Sequence, residues 1–356
     1  WDGAPAIFCG KHPETGQFFV AKKSLFNKTG PMFYTSEQEI KDASELSGQL
    51  QEKFLTSFKY LSKLSWNTIM QGDLMYTNDK KMTKIDGESY ITFQPNTIFY
   101  AVQTDSELGK KIAKSKMGIV FHTTYSGSSI EDLSASFGAN ISKLGNSSDV
   151  WIDDASYKDV SGKGSMTAKE TLALTQVLSK TGKAFHGIKR NDLKKFQELQ
   201  TAIGSKGAGA SYKTYNNTKV RAGQAVTDPK GHANGYITHV ENHFQKEIDK
   251  LKTDKSKDVL KTKMTEYVRE FKKDLGNLQQ VITFQSHLVD AKMKIVSKLN
   301  SVKGLTDTFI KTANGFKVTN PEGYVAIDRI SGDAVKLVDR MEFSFNNFTA
   351  IKAWDK

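Results

Sequence analysis

The spacing of apolar residues divides the chain into three stretches of different character. In residues 1–150, short runs of β-forming residues alternate with one segment that has helical spacing. We predict strands at 4–9, 17–21, 68–76, 90–93, 98–102 and 118–123. We predict a helix over 36–64, where apolar residues recur at steps of three and four: Leu46, Leu50, Phe54, Phe58 and Leu61.

Strand patterns nearly vanish between residues 165 and 312. Helical spacing predicts helices at 167–181, 189–203, 236–253, 257–275 and 279–302. The glycine-rich segment 204–210 is a loop, and it lacks the ending G-K-[ST] of a phosphate-binding P-loop. Strand patterns return at 316–318, 324–330 and 334–338. We therefore predict an α+β protein, in which residues 1–150 and 313–356 form one α/β domain and 151–312 an inserted helical domain.

Composition excludes several classes of protein. The chain has 356 residues, of which 38% are hydrophobic and 10% aromatic, so it is long enough for two folded domains and is not a disordered protein. Its one cysteine, Cys9, excludes a disulfide framework and argues against a thiolate metal site. No apolar run reaches the roughly 18 residues that span a bilayer, so we expect no membrane contact and a cytoplasmic location.

The net charge of +12 is concentrated in one part of the chain. Residues 151–312 contain 29 Lys and Arg against 17 Asp and Glu, whereas the rest of the chain contains 22 of each. A basic segment beside a neutral one indicates a polyanionic partner, and we expect nucleic acid to bind through residues 151–312. The alternative is a solvated, lysine-rich helical surface without a partner.

Several short motifs carry residues suited to phosphate chemistry. The chain begins Trp1-Asp2-Gly3, which we interpret as a cut through a longer protein. The strand 17–21 ends at Lys22 and Lys23. Further motifs are Gly72-Asp73-Leu74, the aromatic pair Phe99-Tyr100, Glu322-Gly323-Tyr324-Val325 and Val335-Lys336-Leu337. Each motif alone has an ordinary explanation, because Asp-Gly is a turn signal and lysines are common on surfaces.

Taken in order, these motifs resemble those of the covalent nucleotidyltransferase superfamily, the DNA and RNA ligases and RNA-capping enzymes. The family's first motif is K-x-D-G, so its nucleophilic lysine would immediately precede Trp1. Asp73 stands where the family more often has glutamate. The segment 151–312 has no counterpart in the family. The N-terminal part also resembles uncharacterised ligase-like proteins of tailed bacteriophages, which implies an infected host cell or a virion as location.

The resemblance implies an ATP-grasp-like ligase domain, a lysyl-AMP intermediate, and ATP in preference to GTP, with Mg²⁺. It assigns the nucleotide to six residues: Asp2, Gly3, Lys22, Asp73, Phe99 and Tyr100. It assigns catalysis to Lys23, Glu322 and Lys336, and Mg²⁺ to Glu322 and Asp73. The ordinary alternatives are surface lysines at positions 22, 23 and 336, turn residues at 73 and 322, and core aromatics at 99 and 100.

One physical consequence can be checked in a structure. Only groups close to an α-phosphate and its metal can contact them. The ligase hypothesis therefore requires five residues to line one cleft: Asp2, Lys23, Asp73, Glu322 and Lys336. The competing reading is a non-catalytic phage protein that retains the fold and binds nucleic acid or builds the virion. Outside this set, His239 and His243 have i, i+4 spacing but no H-E-x-x-H motif, and we expect His122 to be a core histidine.

Overall fold

A computed structural model describes most of the chain. The described residues are 1–157, 162–203, 209–302, 307–312, 315–318, 323–328, 330–345 and 348. The fold is mixed, with 48% helix and 21% strand in several sheets. It divides into two compact units. Unit 1 comprises the described residues of 1–163 and 302–337, and unit 2 those of 164–301 and 338–349.

Unit 1 contains the strands and three helices among its described residues. The strands are β1 (Ala6–Lys11), β2 (Phe18–Ala21), β3 (Ile69–Tyr76), β4 (Lys81–Ile85), β5 (Glu88–Phe93), β6 (Phe99–Gln103), β7 (Met117–Ser126), β8 (Ser134–Phe137), β9 (Val150–Asp154), β10 (Asp307–Thr312), β11 (Gly315–Val318), β12 (Tyr324–Ile327) and β13 (Ala334–Leu337). The helices are α1 (Glu37–Asp42), α2 (Gly48–Leu61) and α3 (Glu107–Lys114).

The first sheet has the order β2-β1-β3-β7-β8, and β9 also pairs with β7. Its pairs are antiparallel except β7 with β9, which is parallel. Successive side chains of β3 point to opposite faces of the sheet, so Leu74 lies on one face and Asp73 on the other. Leu74 belongs to a core that also holds Phe54 and Leu61 of α2, so the helices cover that face. Asp73 therefore faces away from the helices.

The second sheet has the order β11-β10-β6-β5-β4. Its buried side chains pack against the first sheet, on the face that α2 leaves free. This shared core contains Met75, Val120 and Trp151 from the first sheet with Phe93 and Tyr100 from the second. The strands β12 and β13 form a separate two-stranded hairpin.

Unit 2 is built from helices. They are α4 (Ala168–His186), α5 (Arg190–Ala202), α6 (Tyr212–Arg221), α7 (Pro229–Asp249), α8 (Asp254–Lys273) and α9 (Leu275–Asn300), with a π-helical turn at Arg340–Ser344. Their core is rich in aromatic residues, and Tyr236 and Phe271 are almost completely buried in it. The tyrosine hydroxyl at position 236 accepts a hydrogen bond from Gln200 Nε2 (2.7 Å), which satisfies a buried polar group.

Several predicted boundaries differ from the structure for local reasons. The helix predicted over 36–64 is broken into α1 and α2, because α2 starts afresh at Gly48, which has a φ of +53°. The predicted domain boundary at 150/151 falls inside β9, which pairs with β7. The strand β10 lies in the stretch predicted to be helical. Helix α7 starts seven residues before the predicted 236, because Asp228 caps it and Pro229 opens it.

Candidate active site in unit 1

The start of the chain is held between the two sheets by buried hydrogen bonds. The backbone N–H of Asp2 donates to the Tyr100 hydroxyl at 2.6 Å. The Asp2 carboxylate accepts a hydrogen bond from Asn96 Nδ2 at 2.8 Å, and Asp2 is only 8% exposed. A buried carboxylate is costly unless it is hydrogen-bonded, and Asn96 supplies such a bond to Asp2.

Gly3 brings the chain start into direct contact with β3. A β-carbon at Gly3 would lie 2.6 Å from Cβ of Asp73 and 2.9 Å from the carbonyl oxygen of Leu74. Only glycine allows so close an approach. The first and third predicted motifs, Asp2-Gly3 and Asp73, therefore meet in space.

His122 faces Asp73 from the neighbouring strand. Its Nε2 lies 3.8 Å from Asp73 Oδ1, and its Nδ1 is hydrogen-bonded to Thr123 Oγ1 at 2.7 Å. The register of β3 with β7 shifts between Gln71 and Gly72, so His122 is the extra residue of a bulge. A bulge of this kind redirects a side chain toward a site, which a strict strand pattern does not predict.

Burial lowers the pKa of His122 below its ordinary value. The imidazole is consequently neutral at neutral pH and can accept a proton. His122 is thus half-buried, as a core histidine would be, but it also belongs to a polar cluster.

Asp153 is a further acidic residue of the same face, and the sequence motifs missed it. Val120 is in register with Asp73 on one side and with Asp153 on the other. Residues in register point to the same face of a sheet, so both aspartates face the second sheet. Their backbones are two strand spacings apart, about 10 Å. We call Asp2, Asp73, His122 and Asp153 the carboxylate site.

Aromatic rings form one wall of the carboxylate site. The Trp1 ring lies 5.3 Å from the Tyr100 ring and 5.5 Å from the Trp151 ring. Tyr100 is 2% exposed, and its other side packs against Phe93 at 5.6 Å. Because Phe99 and Tyr100 are adjacent in β6, they point to opposite faces of the sheet. A single bound base cannot contact both, and Tyr100 is the one that faces the carboxylate site.

The two predicted phosphate-binding lysines differ in placement. Lys22 is half-buried, and its ammonium donates to the carbonyl oxygen of Glu45, on the face of the first sheet that the helices cover. It thus points away from the face that carries Asp73. Lys23 is exposed and begins a short 3₁₀ turn after β2. The register Ala21–Phe8–Gln71 puts the end of β2 two strands, about 10 Å, from β3.

The last two predicted residues lie in the hairpin region. Lys336 is on β13, opposite Val325 of β12, and is exposed. Glu322 lies outside the described residues. The prediction that both line the cleft with Asp73 therefore stays a prediction.

Comparison with known proteins adds one finding. Residues 1–352 match DUF6267, a family of unknown function. The chain belongs to this family. Neither the curated proteins nor the solved structures gave a match. The match covers both units, so the helical unit 2 is part of the family's sequence and not an addition peculiar to this chain.

The carboxylate site of this DUF6267 member contains carboxylate oxygens, which are the kind of ligand that Mg²⁺ prefers. Within the described part of the chain, no three His, Cys, Asp or Glu side chains are grouped closely enough to hold a metal ion by themselves. Mg²⁺ differs from zinc in this respect, since it retains waters and binds through one or two carboxylates together with phosphate oxygens. Asp73, 23% exposed at its side chain, is placed to supply one such oxygen.

The histidines of unit 2 do not form a comparable site. His239 Nε2 is hydrogen-bonded to the carbonyl oxygen of Gly209 at 2.7 Å, and His232 Nε2 to Asn216 at 2.9 Å. A ring nitrogen so engaged is not presented to a metal. The glycine-rich loop beside them lies outside the described residues at 204–208.

None of the helices that the structure describes, in either unit, combines the length and apolarity required to cross a bilayer.

Proposed function

We propose that unit 1 is an ATP-dependent nucleotidyltransferase domain of the ligase and capping type, which acts on polynucleotide ends. One observation carries the proposal: Gly3, which directly follows Asp2, packs against Asp73, which is distant in sequence. Unrelated surface charges on separate strands have no reason to meet, whereas a nucleotide site requires it. Asn96, His122 and Asp153 extend the same cluster and were not part of the motif set.

The chemistry follows from the residue types. A lysine that precedes Trp1 would attack the α-phosphate of ATP through its deprotonated amine. A nitrogen–phosphorus bond would form, the bond from the α-phosphorus to the bridging oxygen would break, and pyrophosphate would leave. The neutral imidazole of His122, whose Nε2 lies 3.8 Å from Asp73 Oδ1, is suited to take the proton from the attacking amine. A polynucleotide 5′-phosphate would then displace the lysine from the AMP.

Charge stabilisation would dominate such a reaction, as in phosphoryl transfer generally. In the proposal, Asp73 and Glu322 hold Mg²⁺, and Lys23 and Lys336 neutralise the phosphates. Lys22 is the weakest member of the assigned set, because its ammonium is already engaged by the Glu45 carbonyl. Tyr100 is assigned to the positioning of Asp2 and not to base stacking, because its hydroxyl accepts from Asp2 and its ring is buried.

We further propose that the basic segment 151–312 contacts the polynucleotide. The excess positive charge of the chain lies in this segment. Such contact releases counterions, so the logarithm of the affinity should fall linearly with the logarithm of the salt concentration. Binding that is insensitive to salt would leave only a solubilising role for these lysines.

The test is a labelling experiment on the chain extended at its N-terminus by its natural sequence. Incubation with ATP labelled at the α-phosphate, and with Mg²⁺, should give a labelled protein band on a denaturing gel. Asp73→Asn should reduce the yield at least about 100-fold, the effect typical of removing one charge-stabilising group. Asp105→Asn is the matched control, since Asp105 is an exposed loop carboxylate of the same unit, and its yield should be unchanged.

Two outcomes would separate the proposal from its alternative. Equal yields from Asp73→Asn and Asp105→Asn would remove Asp73 from the chemistry. No adduct with either ATP or GTP, together with salt-dependent polynucleotide binding, would favour the non-catalytic phage protein.

A further inference from the structure

Unit 1 contains a second concave region, made from residues that the carboxylate site does not use. A cavity of about 440 Å³ opens between α2, the loop that follows β3, and the end of α3. Its volume lies within the range of sites that bind small molecules. Six of its lining residues have an ammonium or hydroxyl group: Thr56, Lys59, Tyr60, Thr77, Lys80 and Lys116. We call this cavity the basic pocket.

The charge of the basic pocket is one-sided. Three lysines line it, and among the described residues that line it there is no carboxylate. The carboxylate of the same loop, Asp79, turns elsewhere: it accepts from the backbone N–H of Thr77 at 2.8 Å and lies 3.9 Å from Lys53 Nζ. Three cations without a facing anion produce a positive potential, which attracts a negatively charged ligand.

Lys80 is fixed in place by the end of α3. Its ammonium donates to the carbonyl oxygens of Ala113 at 2.9 Å and Ser115 at 2.6 Å, and also to that of Ile112. Unsatisfied carbonyls at a helix C-terminus attract cations, so the fold itself holds this charge at the pocket wall. Burial lowers the pKa of Lys80, and the nearby Lys116 lowers it further. The structure therefore keeps two like charges close together.

Hydroxyl groups complete the lining. Thr77 is 6% exposed, and Thr56 lies on the turn of α2 before Lys59 and Tyr60. The ammonium groups of Lys59 and Lys116 and the hydroxyl of Thr56 are donors of the kind that bind the oxygens of a phosphate group. Lys80 contributes its charge alone, because its three N–H bonds are donated to carbonyl oxygens. The faces of the Tyr60 ring are approached by Lys59 and Lys63, at 5.5 Å and 5.2 Å. This ring therefore does not serve as a stacking platform for a base.

We propose that the basic pocket binds the phosphate group of a small phosphorylated molecule. A polynucleotide is disfavoured here for two reasons. The pocket is a local concavity and not a groove along a surface, and residues 1–150 with 313–356 have no net charge to attract an extended backbone. The inference is independent of the nucleotidyltransferase proposal, because none of its residues belongs to the carboxylate site.

The test is a titration of the full chain with inorganic phosphate, monitored through backbone amide shifts. Ionic strength is held constant with sodium chloride, so that screening does not imitate binding. We expect saturable shifts at residues 56–60, 77–80 and 115–116, with a Kd on the order of 1 mM or lower. Lys59→Gln with Lys116→Gln should weaken binding about tenfold for each lysine, the value of one charge-assisted hydrogen bond.

The matched control is the double variant Lys63→Gln and Lys114→Gln, which removes one lysine just after α2 and one at the end of α3. Neither lysine lines the pocket. This control should bind phosphate as the unchanged chain does. All four lysines are exposed, and equal melting temperatures would show that the variants are folded. The proposal is overturned if phosphate gives no saturable shifts, or if both double variants weaken binding equally. It is also overturned if only an oligonucleotide, and not phosphate or AMP, shifts these amides.

Discussion

The two units of this protein use their charged residues in opposite ways. In unit 1, single charged residues have defined surroundings: Asp2 is buried, and Asp73 lies against a neutral His122. Unit 2 carries many charges on helix surfaces, in exposed pairs such as Lys250 with Glu247 at 2.7 Å. Exposed pairs of this kind contribute little to stability. Function in unit 1 should thus depend on single groups, and function in unit 2 on the summed field of many.

The two units also have separate hydrophobic cores. One core of unit 1 joins the first sheet to α2 and contains Phe54, while the core of unit 2 contains Phe271. Both rings are almost fully buried. The two clusters share no residue, so each should govern the stability of its own unit.

The largest expected effect comes from emptying either core. Phe54→Ala should destabilise unit 1, and Phe271→Ala unit 2, by about 3–5 kcal/mol each, because a buried ring is lost and a cavity remains. Hydrogen exchange measures this unit by unit: Phe54→Ala should reduce protection in β1 and β3, and Phe271→Ala in α7 and α8. If Phe54→Ala reduced protection equally throughout unit 2, the division into two separate cores would be wrong.

Glycines should respond with opposite signs in the two units. Gly3→Ala forces a β-carbon against Asp73 and the Leu74 carbonyl, which should destabilise unit 1 by about 1–3 kcal/mol. Gly182→Ala, in the middle of α4 with open space around it, should stabilise unit 2 by about 0.5–1 kcal/mol. Urea unfolding of both variants gives the two values. A neutral Gly3→Ala would show that the chain start is not packed against β3.

The sequence predicted elements well where apolar residues mark one face. The prediction 68–76 matches β3, and 189–203 matches α5 to within one residue at each end. It missed β8, because all four residues of Ser134–Phe137 are exposed and no apolar alternation marks them. It also missed α3, although Ser106, whose side chain accepts from the N–H of Gly109, is a recognisable helix cap.

The carboxylate site was predictable only in part. Resemblance singled out Asp2, Gly3 and Asp73, and these meet. His122 could not be placed in advance, because a bulge in β7 sets its direction. Asp153 was hidden because the predicted domain boundary fell at the start of β9, so its pairing with β7 went unnoticed. The basic pocket is formed by three separate elements, and the sequence of no single element predicts it.

A smaller effect concerns a single carboxylate of unit 2. Glu170 caps α4: it accepts from the backbone N–H of Thr167 and from Lys298, which lower its pKa to about 2. A depressed carboxyl pKa stabilises the fold above the unfolded value, near 4.5, and this contribution is lost as the pH falls from there toward 2.

Carboxyl-carbon NMR should therefore find Glu170 still ionised at pH 3, well below the ordinary pKa of a glutamate. Lys298→Gln should raise the Glu170 pKa only in part, because the contact with Thr167 remains. An unshifted Glu170 in the unchanged chain would mean that this end of α4 is frayed in solution.

The central claim is that the chain start, Asp73 and their neighbours form a site for covalent nucleotide transfer. The most direct measurement is peptide mapping by mass spectrometry, after the N-terminally extended chain has reacted with ATP and Mg²⁺. We expect one AMP, attached through nitrogen to a lysine immediately before Trp1-Asp2-Gly3. An AMP on any other residue, or an unmodified lysine at that position under conditions that retain the fold, would contradict the claim.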